Sequence, residues 1–345
     1  FASAVNAGFG SPLIVFFIGV LFLSTGFTFS GLGTRMVLHV LRLAGTRTDR
    51  VLLGFLIVGA LLSMWITDMA VAAILLPLGV GVLKDAELRP LQSNFGRALM
   101  ISCAYGPLIG GIGTPAGAAS NLIALRYLEE LAGLTVSFGH WMLLGVPAVL
   151  LMIPTGWWLL LRVFPPEIDR LPFDRDQIDI KLKALGPLRA VEQKTLAIFG
   201  LTITLWLLTP WIAEATGGRV NPPIQAVALL GGLILFLPTV RVMTWKQAQA
   251  NMDWGGVMLI VAGLSLGLMV FETGAARWLA QLLLGNLILI PVLLRPFVIV
   301  IAVSLLHLLF SSNTVTGSLI MPILLALALD LQLDAWTIAA PAAFT

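Results

Sequence analysis

The chain has 345 residues, of which 59% are hydrophobic and only 11% are charged, and its mean hydropathy is +1.00. Soluble domains carry about 25% charged residues, so this composition excludes a soluble protein and indicates several membrane crossings. The net charge of +3 gives no support to nucleic-acid binding. The single cysteine, Cys103, excludes a disulfide framework and a thiolate metal site.

Apolar segments follow one another along the whole chain. They lie at 11–29, 51–82, 97–133, 141–163, 195–213, 223–239, 254–271 and 297–330. A single crossing needs about 20 apolar residues, and three of these segments are longer and contain polar or glycine-rich interruptions. The sequence therefore predicts an all-α polytopic membrane protein with two re-entrant hairpins, 51–82 and 297–330, and one broken transmembrane helix, 97–133.

The first hairpin is interrupted at Thr67-Asp68-Met69 and continues to Pro77. Polar, helix-breaking sequence at membrane depth is tolerated only where it lines a cavity or is buried in protein. An ionised aspartate inside a membrane is energetically unfavourable and marks a functional site, so we expect Asp68 to bind a cation or to take up a proton. The alternative interpretation, compatible with the first, makes Asp68 the N-cap of a half-helix that begins at Met69.

The broken helix contains four glycines and a proline between positions 110 and 117. This composition excludes a continuous helix and lets a ligand approach the backbone. Thr114, Ser120 and Asn121 are the polar candidates for ligand binding in this stretch. A purely structural role, in which the glycines allow close helix packing, is the alternative.

The second hairpin is interrupted at Ser312-Asn313-Thr314 and continues to Pro322. When Asp68 is aligned with Asn313, the two prolines coincide. Hydroxyl and amide groups suit both Na⁺ and an anion, and a simple helix cap is the alternative. Two such breaks at matching positions of two halves indicate the binding site of a transporter.

Basic residues determine the predicted topology. Both flanks of 51–82 are rich in Arg and Lys, so the positive-inside rule predicts a hairpin that opens to the cytoplasm. The loop 164–194 is predicted to be a cytoplasmic connector, after which 297–330 opens outward. The halves 1–163 and 195–345 then form an inverted-topology repeat. We expect a further segment after Thr345, because the counterpart of the glycine-rich break falls there, and a further segment before Phe1, because the sequence does not begin with Met.

These motifs resemble the divalent anion/sodium symporter family, which carries dicarboxylates, citrate or sulfate. The resemblance rests on Ser312-Asn313-Thr314 with Pro322, on Ser63–Ile66, and on Gly110–Thr114, and it covers nearly the whole chain. It implies a homodimer in a bacterial plasma membrane, in which a transport domain moves against a scaffold by an elevator motion. It also implies that two further helices precede Phe1.

The resemblance implies ligand positions as well. The first Na⁺ would be held by Ser63, Thr67, Asp68 and Gly117, and the second by Ser312 and Asn313. A substrate carboxylate would meet Asn313 and Thr314, and Ser120 and Asn121 complete the expected substrate site. The family's Ser-Asn-Thr is replaced here by Thr67-Asp68-Met69, so half of the usual anion site has lost donors and gained a carboxylate.

The sequence thus predicts a secondary active transporter that couples a small anion of the dicarboxylate, citrate or sulfate class to Na⁺. One alternative is a proton-coupled or exchanging variant in which Asp68 titrates, and another is a channel or a non-transporting membrane protein. No enzyme is expected, because the sequence offers no nucleophile–base pair, and no cofactor or metal other than Na⁺ is expected. The expected partners are the anion, the lipid bilayer and a second copy of the chain, with no nucleic acid.

Overall fold

The computed structural model describes residues 2–88, 92–172, 175–308, 310 and 312–344. These residues form helices joined by short turns, with one isolated bridge between Arg47 and Arg170 and no strand in the described part of the chain. The helices are α1 (Ala2–Phe9), α2 (Pro12–Ser30), α3 (Leu32–Ala44), α4 (Thr48–Ser63), α5 (Asp68–Asp85), α6 (Asn94–Gly111), α7 (Ala119–Ala132), α8 (Phe138–Val163), α9 (Arg175–Ala184), α10 (Ala190–Ala215), α11 (Ile224–Ile234), α12 (Trp245–Asn251), α13 (Trp254–Glu272), α14 (Ala275–Leu284), α15 (Arg295–His307), α16 (Asn313–Asp330) and α17 (Ala335–Ala343).

Among the described residues, five helical stretches are long and apolar enough to cross a membrane. They are Val5–Ser30, Phe138–Val163, Ala190–Ala215, Trp254–Glu272 and Asn313–Asp330. The prediction of an all-α polytopic membrane protein is therefore confirmed. The predicted segment 223–239 is shorter than expected, because α11 begins after Pro223 and ends before Pro238.

Each of the three long apolar segments consists of two helices with a break between them. The first hairpin is α4 and α5, the broken helix is α6 and α7, and the second hairpin is α15 and α16. The breaks lie at the polar and glycine-rich positions identified in the sequence. The re-entrant path of the hairpins and their opposite orientation stay predictions.

The chain divides into two compact units whose sequence segments alternate. Unit 1 comprises residues 1–18, 119–140 and 253–345, and unit 2 comprises residues 19–118 and 141–252. The repeat halves 1–163 and 195–345 and the connector 164–194 were defined from the sequence by a different criterion, and they too stay predictions.

In unit 2, α4 and α6 cross with their backbones in contact. A Cβ atom added at Gly110 would lie 2.1 Å from the carbonyl oxygen of Ala60, and one added at Gly106 would lie 3.1 Å from that of Leu56. A Cβ does not fit at Gly110, and at Gly106 the neighbouring backbone would have to shift by a few tenths of an ångström. The close-packing interpretation of the glycine-rich break therefore holds for Gly110.

Unit 2 also contains the segment 164–194, which is hydrogen-bonded to the start of both α4 and α6. The Thr48 hydroxyl donates to the carbonyl oxygen of Ile168 (2.8 Å), and the amide N–H of Phe95 donates to the Glu167 carboxylate (3.0 Å). Burial opposes ionisation of Glu167, but hydrogen bonds from Ser93 and from the Phe95 N–H lower its pKa below the ordinary value.

The helix α9 forms ion pairs with two other helices of unit 2. Asp179 pairs with Arg42 of α3 (2.8 Å), and Lys181 pairs with Asp85 at the end of α5 (2.6 Å). A carboxylate at a helix C-terminus is unfavourable by itself, so Lys181 neutralises the end of the first hairpin.

In unit 1, α16 lies among α7, α13, α14 and α17. The buried Tyr127 of α7 donates its hydroxyl to the carbonyl oxygen of Gly263 in α13 (2.8 Å). Asp330, the last residue of α16, pairs with Arg277 of α14 (2.8 Å). The second hairpin thus has a neutralised C-terminus, as the first has.

The two hairpins share their local structure. Both α5 and α16 have 18 residues, with proline nine residues after the first position and aspartate at the last. Both end in a Schellman turn whose left-handed residue is not glycine, Glu87 (φ 57°) in one and Gln332 (φ 50°) in the other. The helices α5 and α16 therefore share their length, their proline position and their C-terminal turn.

Candidate ion and substrate site

The first break is a tight turn between α4 and α5. The amide N–H groups of Trp65 and Ile66 both donate to the carbonyl oxygen of Leu62 (3.0 and 3.1 Å). Thr67 is extended, and α5 begins at Asp68. The turn ends α4 and places polar side chains at the start of α5.

Ser63, the last residue of α4, contributes a buried hydroxyl to this break. Its Oγ has no hydrogen-bond partner among the residues that the structure describes, and the residue is 0% exposed. A buried hydroxyl without a partner destabilises a fold by about 1–3 kcal/mol. Such a group is tolerated where it has a further use, and binding an ion is one.

Gly111 and Gly117 bring backbone oxygens to the same place. A Cβ added at Gly117 would lie 2.4 Å from the carbonyl oxygen of Gly111 and 2.7 Å from that of Ser63. A Cβ added at Gly111 would lie 3.7 Å from the Ser63 Oγ. At Gly117 only glycine leaves room for the two carbonyl oxygens, whereas a Cβ at Gly111 would make an ordinary contact with the Ser63 Oγ. Oxygen atoms are the ligands that Na⁺ takes at unwound helices.

Thr114 joins the glycine-rich break to the hairpin turn. Its buried hydroxyl is hydrogen-bonded to the carbonyl oxygen of Met64 and accepts the amide N–H of Ala116 (3.2 Å). In the structure this hydroxyl joins two backbone segments, and the ligand-binding role expected of Thr114 stays a prediction.

Thr67 and Asp68 form the tip of the first hairpin. The Thr67 hydroxyl lies 3.5 Å from that of Ser24 in α2, and the Asp68 carboxylate accepts the amide N–H of Met69 (2.8 Å). The capping interpretation is wrong by one position, because the helix begins at Asp68 and Thr67 precedes it. The carboxylate still binds the helix end, by the N–H of the next residue.

Two residues near the breaks of unit 2 were not identified from the sequence as part of the site. Ser24 is buried next to Thr67, and it is one of several hydroxyl residues at the end of α2, so the sequence does not single it out. Trp141 is buried and donates its indole N–H to the carbonyl oxygen of Ile112 (2.9 Å). It satisfies a backbone group that the break leaves without a helical partner.

The second break lies between α15 and α16 in unit 1. Ser312 is extended, and its carbonyl oxygen accepts both the amide N–H and the hydroxyl of Thr316 (3.0 Å each). The Ser312 side chain makes no capping hydrogen bond. Asn313 is exposed, and Ser312 and Thr314 are half-buried, so their polar groups remain accessible at the hairpin tip.

Ser120 and Asn121 begin α7, in the same unit as the second break. Ser120 faces α16, since a Cβ added at Gly317 would lie 3.6 Å from the Ser120 Cβ. Asn121 is fully buried. The candidate residues thus form two groups, with Ser120, Asn121, Ser312, Asn313 and Thr314 in unit 1 and Ser63, Thr67, Asp68 and Gly117 in unit 2.

Comparison with known proteins identifies the family. Residues 2–344 match the sodium:sulfate symporter transmembrane region. The chain belongs to the sodium:sulfate symporter family. Membership of this family confirms the resemblance predicted from the sequence. It also confirms the predictions that the protein is an integral membrane transporter and that it is not an enzyme.

Relatives in this symporter family include proteins named sodium-dependent dicarboxylate transporter SdcS. The protein of this name from Staphylococcus saprophyticus is 29% identical over 357 residues, which cover 98% of this chain and 68% of the relative. That of Staphylococcus aureus strain USA300 is 29% identical over 354 residues, with the same coverage. A protein of Cupriavidus necator named only "membrane protein" is 29% identical over 337 residues, covering 95% of this chain and 63% of the relative.

Proposed function

We propose that this member of the sodium:sulfate symporter family is a secondary active transporter that couples uptake of a small anion to Na⁺. The observation that carries the proposal is the buried Ser63 hydroxyl without a hydrogen-bond partner, next to backbone oxygens that Gly111 and Gly117 bring together. The name of the SdcS relatives supports both the coupling ion and the anionic substrate.

The first Na⁺ binds at Ser63, Thr67, Asp68 and Gly117. Hydroxyl and carbonyl oxygens supply neutral ligands, and the Asp68 carboxylate supplies a negative charge that balances the ion. A second Na⁺ binds at Ser312 and Asn313, where side-chain oxygens stand at the start of α16.

The anion binds at Asn313 and Thr314, with Ser120 and Asn121 completing the site. Amide and hydroxyl groups donate hydrogen bonds to an oxyanion, and the start of α16 adds the partial positive charge of a helix N-terminus. The substrate belongs to the dicarboxylate, citrate or sulfate class. The elevator motion, the homodimer and the bacterial plasma membrane as its location follow from the family resemblance.

The first experiment measures uptake by the full-length protein in proteoliposomes. We expect an inward Na⁺ gradient to drive accumulation of a labelled anion, and a choline gradient to leave it at the background level. We also expect Na⁺ to raise the thermal midpoint of the purified protein relative to choline, because an ion that binds only the folded state stabilises it. Equal accumulation of the labelled anion with and without the Na⁺ gradient would contradict the proposal.

Asp68 favours a second candidate function, in which a proton replaces one Na⁺ or the protein exchanges anions. Under this alternative a pH gradient alone drives uptake, and Asp68→Asn removes that dependence because the amide cannot titrate. Uptake that depends on the Na⁺ gradient and is unchanged by a pH gradient would favour Na⁺ coupling over the proton-coupled or exchanging alternative.

A further inference from the structure

We propose that Trp141 of α8 is a positioning residue for the first Na⁺ site. The inference rests on the proposed function and concerns the same site, whose oxygens Trp141 would hold in place without contacting the ion. Its basis is the hydrogen bond from the Trp141 indole N–H to the carbonyl oxygen of Ile112 in the glycine-rich break (2.9 Å). Trp141, the break and the proposed ligands of this Na⁺ all belong to unit 2.

The indole hydrogen bond restrains one carbonyl group of a series. Helix α6 ends at Gly111, and the carbonyl oxygen before it, that of Gly110, accepts an amide N–H of the turn (2.9 Å). The carbonyl oxygen after it, that of Ile112, accepts the Trp141 indole N–H. The Gly111 carbonyl oxygen between them faces Gly117, 2.4 Å from the place of a Cβ there. Both peptide groups that flank this oxygen are therefore held.

A glycine-rich break needs such a restraint. Glycine has the largest backbone freedom of all residues, and four glycines lie between positions 110 and 117. The Trp141 side chain is 0% exposed, so water does not compete for its hydrogen bond. Oxygen atoms that are held in place before the ion arrives bind it with a smaller loss of conformational entropy. Trp141 should therefore raise the affinity for Na⁺.

The face of α8 that carries Trp141 is shaped to the same break. Gly145 lies one turn further on this face, and a Cβ added there would lie 2.6 Å from the carbonyl oxygen of Ile112 and 2.8 Å from that of Gly113. Only glycine lets these two carbonyl groups approach α8 so closely. Another turn on, Val149 packs in a buried cluster with residues of α4 and α6. Helix α8 thus supports the break by a donor, by a close backbone contact and by apolar packing.

A second tryptophan of α8 provides the comparison with a purely structural hydrogen bond. Trp157 donates its indole N–H to the carbonyl oxygen of Asp49 (2.8 Å), in the first turn of α4. At 1.5 Å per residue, Trp157 lies about 24 Å from Trp141 along the helix. The two hydrogen bonds have the same chemistry, and they differ in whether the acceptor belongs to the backbone of the proposed ion site.

The experiment measures the affinity for Na⁺ after the indole donor is removed. Trp141→Phe keeps an aromatic ring and loses the N–H. In a titration of the purified full-length protein with NaCl at constant ionic strength in choline chloride, the half-saturating Na⁺ concentration for thermal stabilisation should rise by about threefold to tenfold, as the loss of one hydrogen bond predicts. Na⁺-driven uptake of labelled succinate or sulfate should show the same rise and keep its maximal rate at saturating Na⁺, because the ligands are still present.

One further variant and two controls accompany Trp141→Phe. Gly145→Ala displaces the same carbonyl groups and keeps the indole, so it should also raise the half-saturating Na⁺ concentration. It decides the question if Trp141→Phe does not fold. Trp157→Phe should lower the thermal midpoint equally in Na⁺ and in choline and leave the Na⁺ affinity unchanged. Gly156→Ala should leave it unchanged as well, because a Cβ there makes an ordinary contact, 3.6 Å from the Ile109 side chain.

The outcomes separate this inference from the proposed function. A half-saturating Na⁺ concentration that is the same in the wild type and in folded Trp141→Phe or Gly145→Ala would overturn the inference and leave the function intact. An equal rise in Trp157→Phe would also overturn it, since the effect would then reflect general destabilisation. A lower maximal rate at unchanged Na⁺ affinity would do so as well. If Na⁺ neither stabilises the wild type nor drives uptake, the proposed function fails, and the inference fails with it.

Discussion

The buried hydroxyl of Ser63 has no hydrogen-bond partner among the described residues, which is unfavourable unless a ligand binds to it. Ser63→Ala should leave the Na⁺-free protein as stable as the wild type, or more stable by about 1 kcal/mol. It should also weaken Na⁺ stabilisation by several-fold in apparent affinity. Thermal midpoints in a Na⁺ titration against choline measure both effects.

The matched control is Ser102→Ala in the neighbouring helix α6. Ser102 is equally buried, but its hydroxyl donates to the carbonyl oxygen of Leu99 (2.7 Å). Its removal should lower stability by the same amount in Na⁺ and in choline. If both variants showed the same pattern, the Ser63 hydroxyl would have no role in binding the ion.

At the residue scale, sequence reasoning identified the polar breaks but not the contacts within them. Asp68 and Asn313 stand out because charged and amide groups are rare in apolar segments. The hydrogen bond from Thr114 to the hairpin turn joins residues 50 positions apart, and no local pattern encodes it. Ser24 was missed for the same reason, since its proximity to Thr67 depends on tertiary packing.

At the scale of elements, the crossing of α4 and α6 depends on glycine. Gly110→Ala should destabilise the protein by about 2 kcal/mol, because the new methyl group would overlap the backbone of Ala60 and the helices would have to separate. The control is Gly81→Ala in α5, where an added Cβ meets nothing within 4 Å and helix propensity alone predicts a small gain. Equal thermal midpoints for the two variants would show that the close contact is unimportant.

The segment 164–194 should make stability depend on pH through Glu167. Because hydrogen bonds in the folded protein lower the pKa of this carboxyl below 4.5, its contribution is fully present above that value. The contribution is lost as the pH falls through the lower, folded-state pKa. Glu167→Gln should therefore reduce stability at neutral pH, and the difference from the wild type should shrink below about pH 4.

Thermal midpoints at several pH values test this prediction. Asp169→Asn serves as the control, because the hydrogen bond described for Asp169 is made by its backbone carbonyl oxygen, which the substitution keeps. A difference between Glu167→Gln and wild type that stays constant from neutral to acid pH would contradict the prediction.

The positions of the helix breaks could be predicted because proline, glycine and polar residues act locally. Pro77 and Pro322 fall at the same position of α5 and α16, as the sequence alignment required. The ion pairs at the ends of these helices could not be predicted in the same way. Asp85 pairs with the connector helix α9, whereas Asp330 pairs with α14, and only the folded chain distinguishes these partners.

At the scale of the whole molecule, carrier behaviour distinguishes a transporter from a channel. Proteoliposomes preloaded with unlabelled substrate should transiently accumulate labelled substrate above its equilibrium level. The reason is that a carrier exports an unlabelled molecule and then returns inward with a labelled one. A channel lets the label equilibrate without this excess. Counterflow measured over time, with and without preloading, tests the prediction, and simple equilibration would favour the channel alternative.

The division of the chain into two compact units could not be read from the sequence. A repeat alignment groups residues by likeness along the chain, whereas a compact unit groups those that are in contact. Residues 119–140 lie between two segments of unit 2 in sequence and pack with the C-terminal segment of unit 1. Composition and periodicity give helices and breaks, but the long-range packing that assembles the units follows from side-chain contacts such as that of Tyr127 with Gly263.

The left-handed turns at Glu87 and Gln332 allow the same backbone conformation to be tested at two positions of one chain. A residue with a Cβ in this conformation is less favourable than glycine by about 1 kcal/mol, and the same backbone occurs after both 18-residue helices. In a saturation mutagenesis screen, the two positions should show the same profile, in which glycine and asparagine are enriched and β-branched residues are depleted. Their agreement would measure how far the two hairpins evolve under one common constraint.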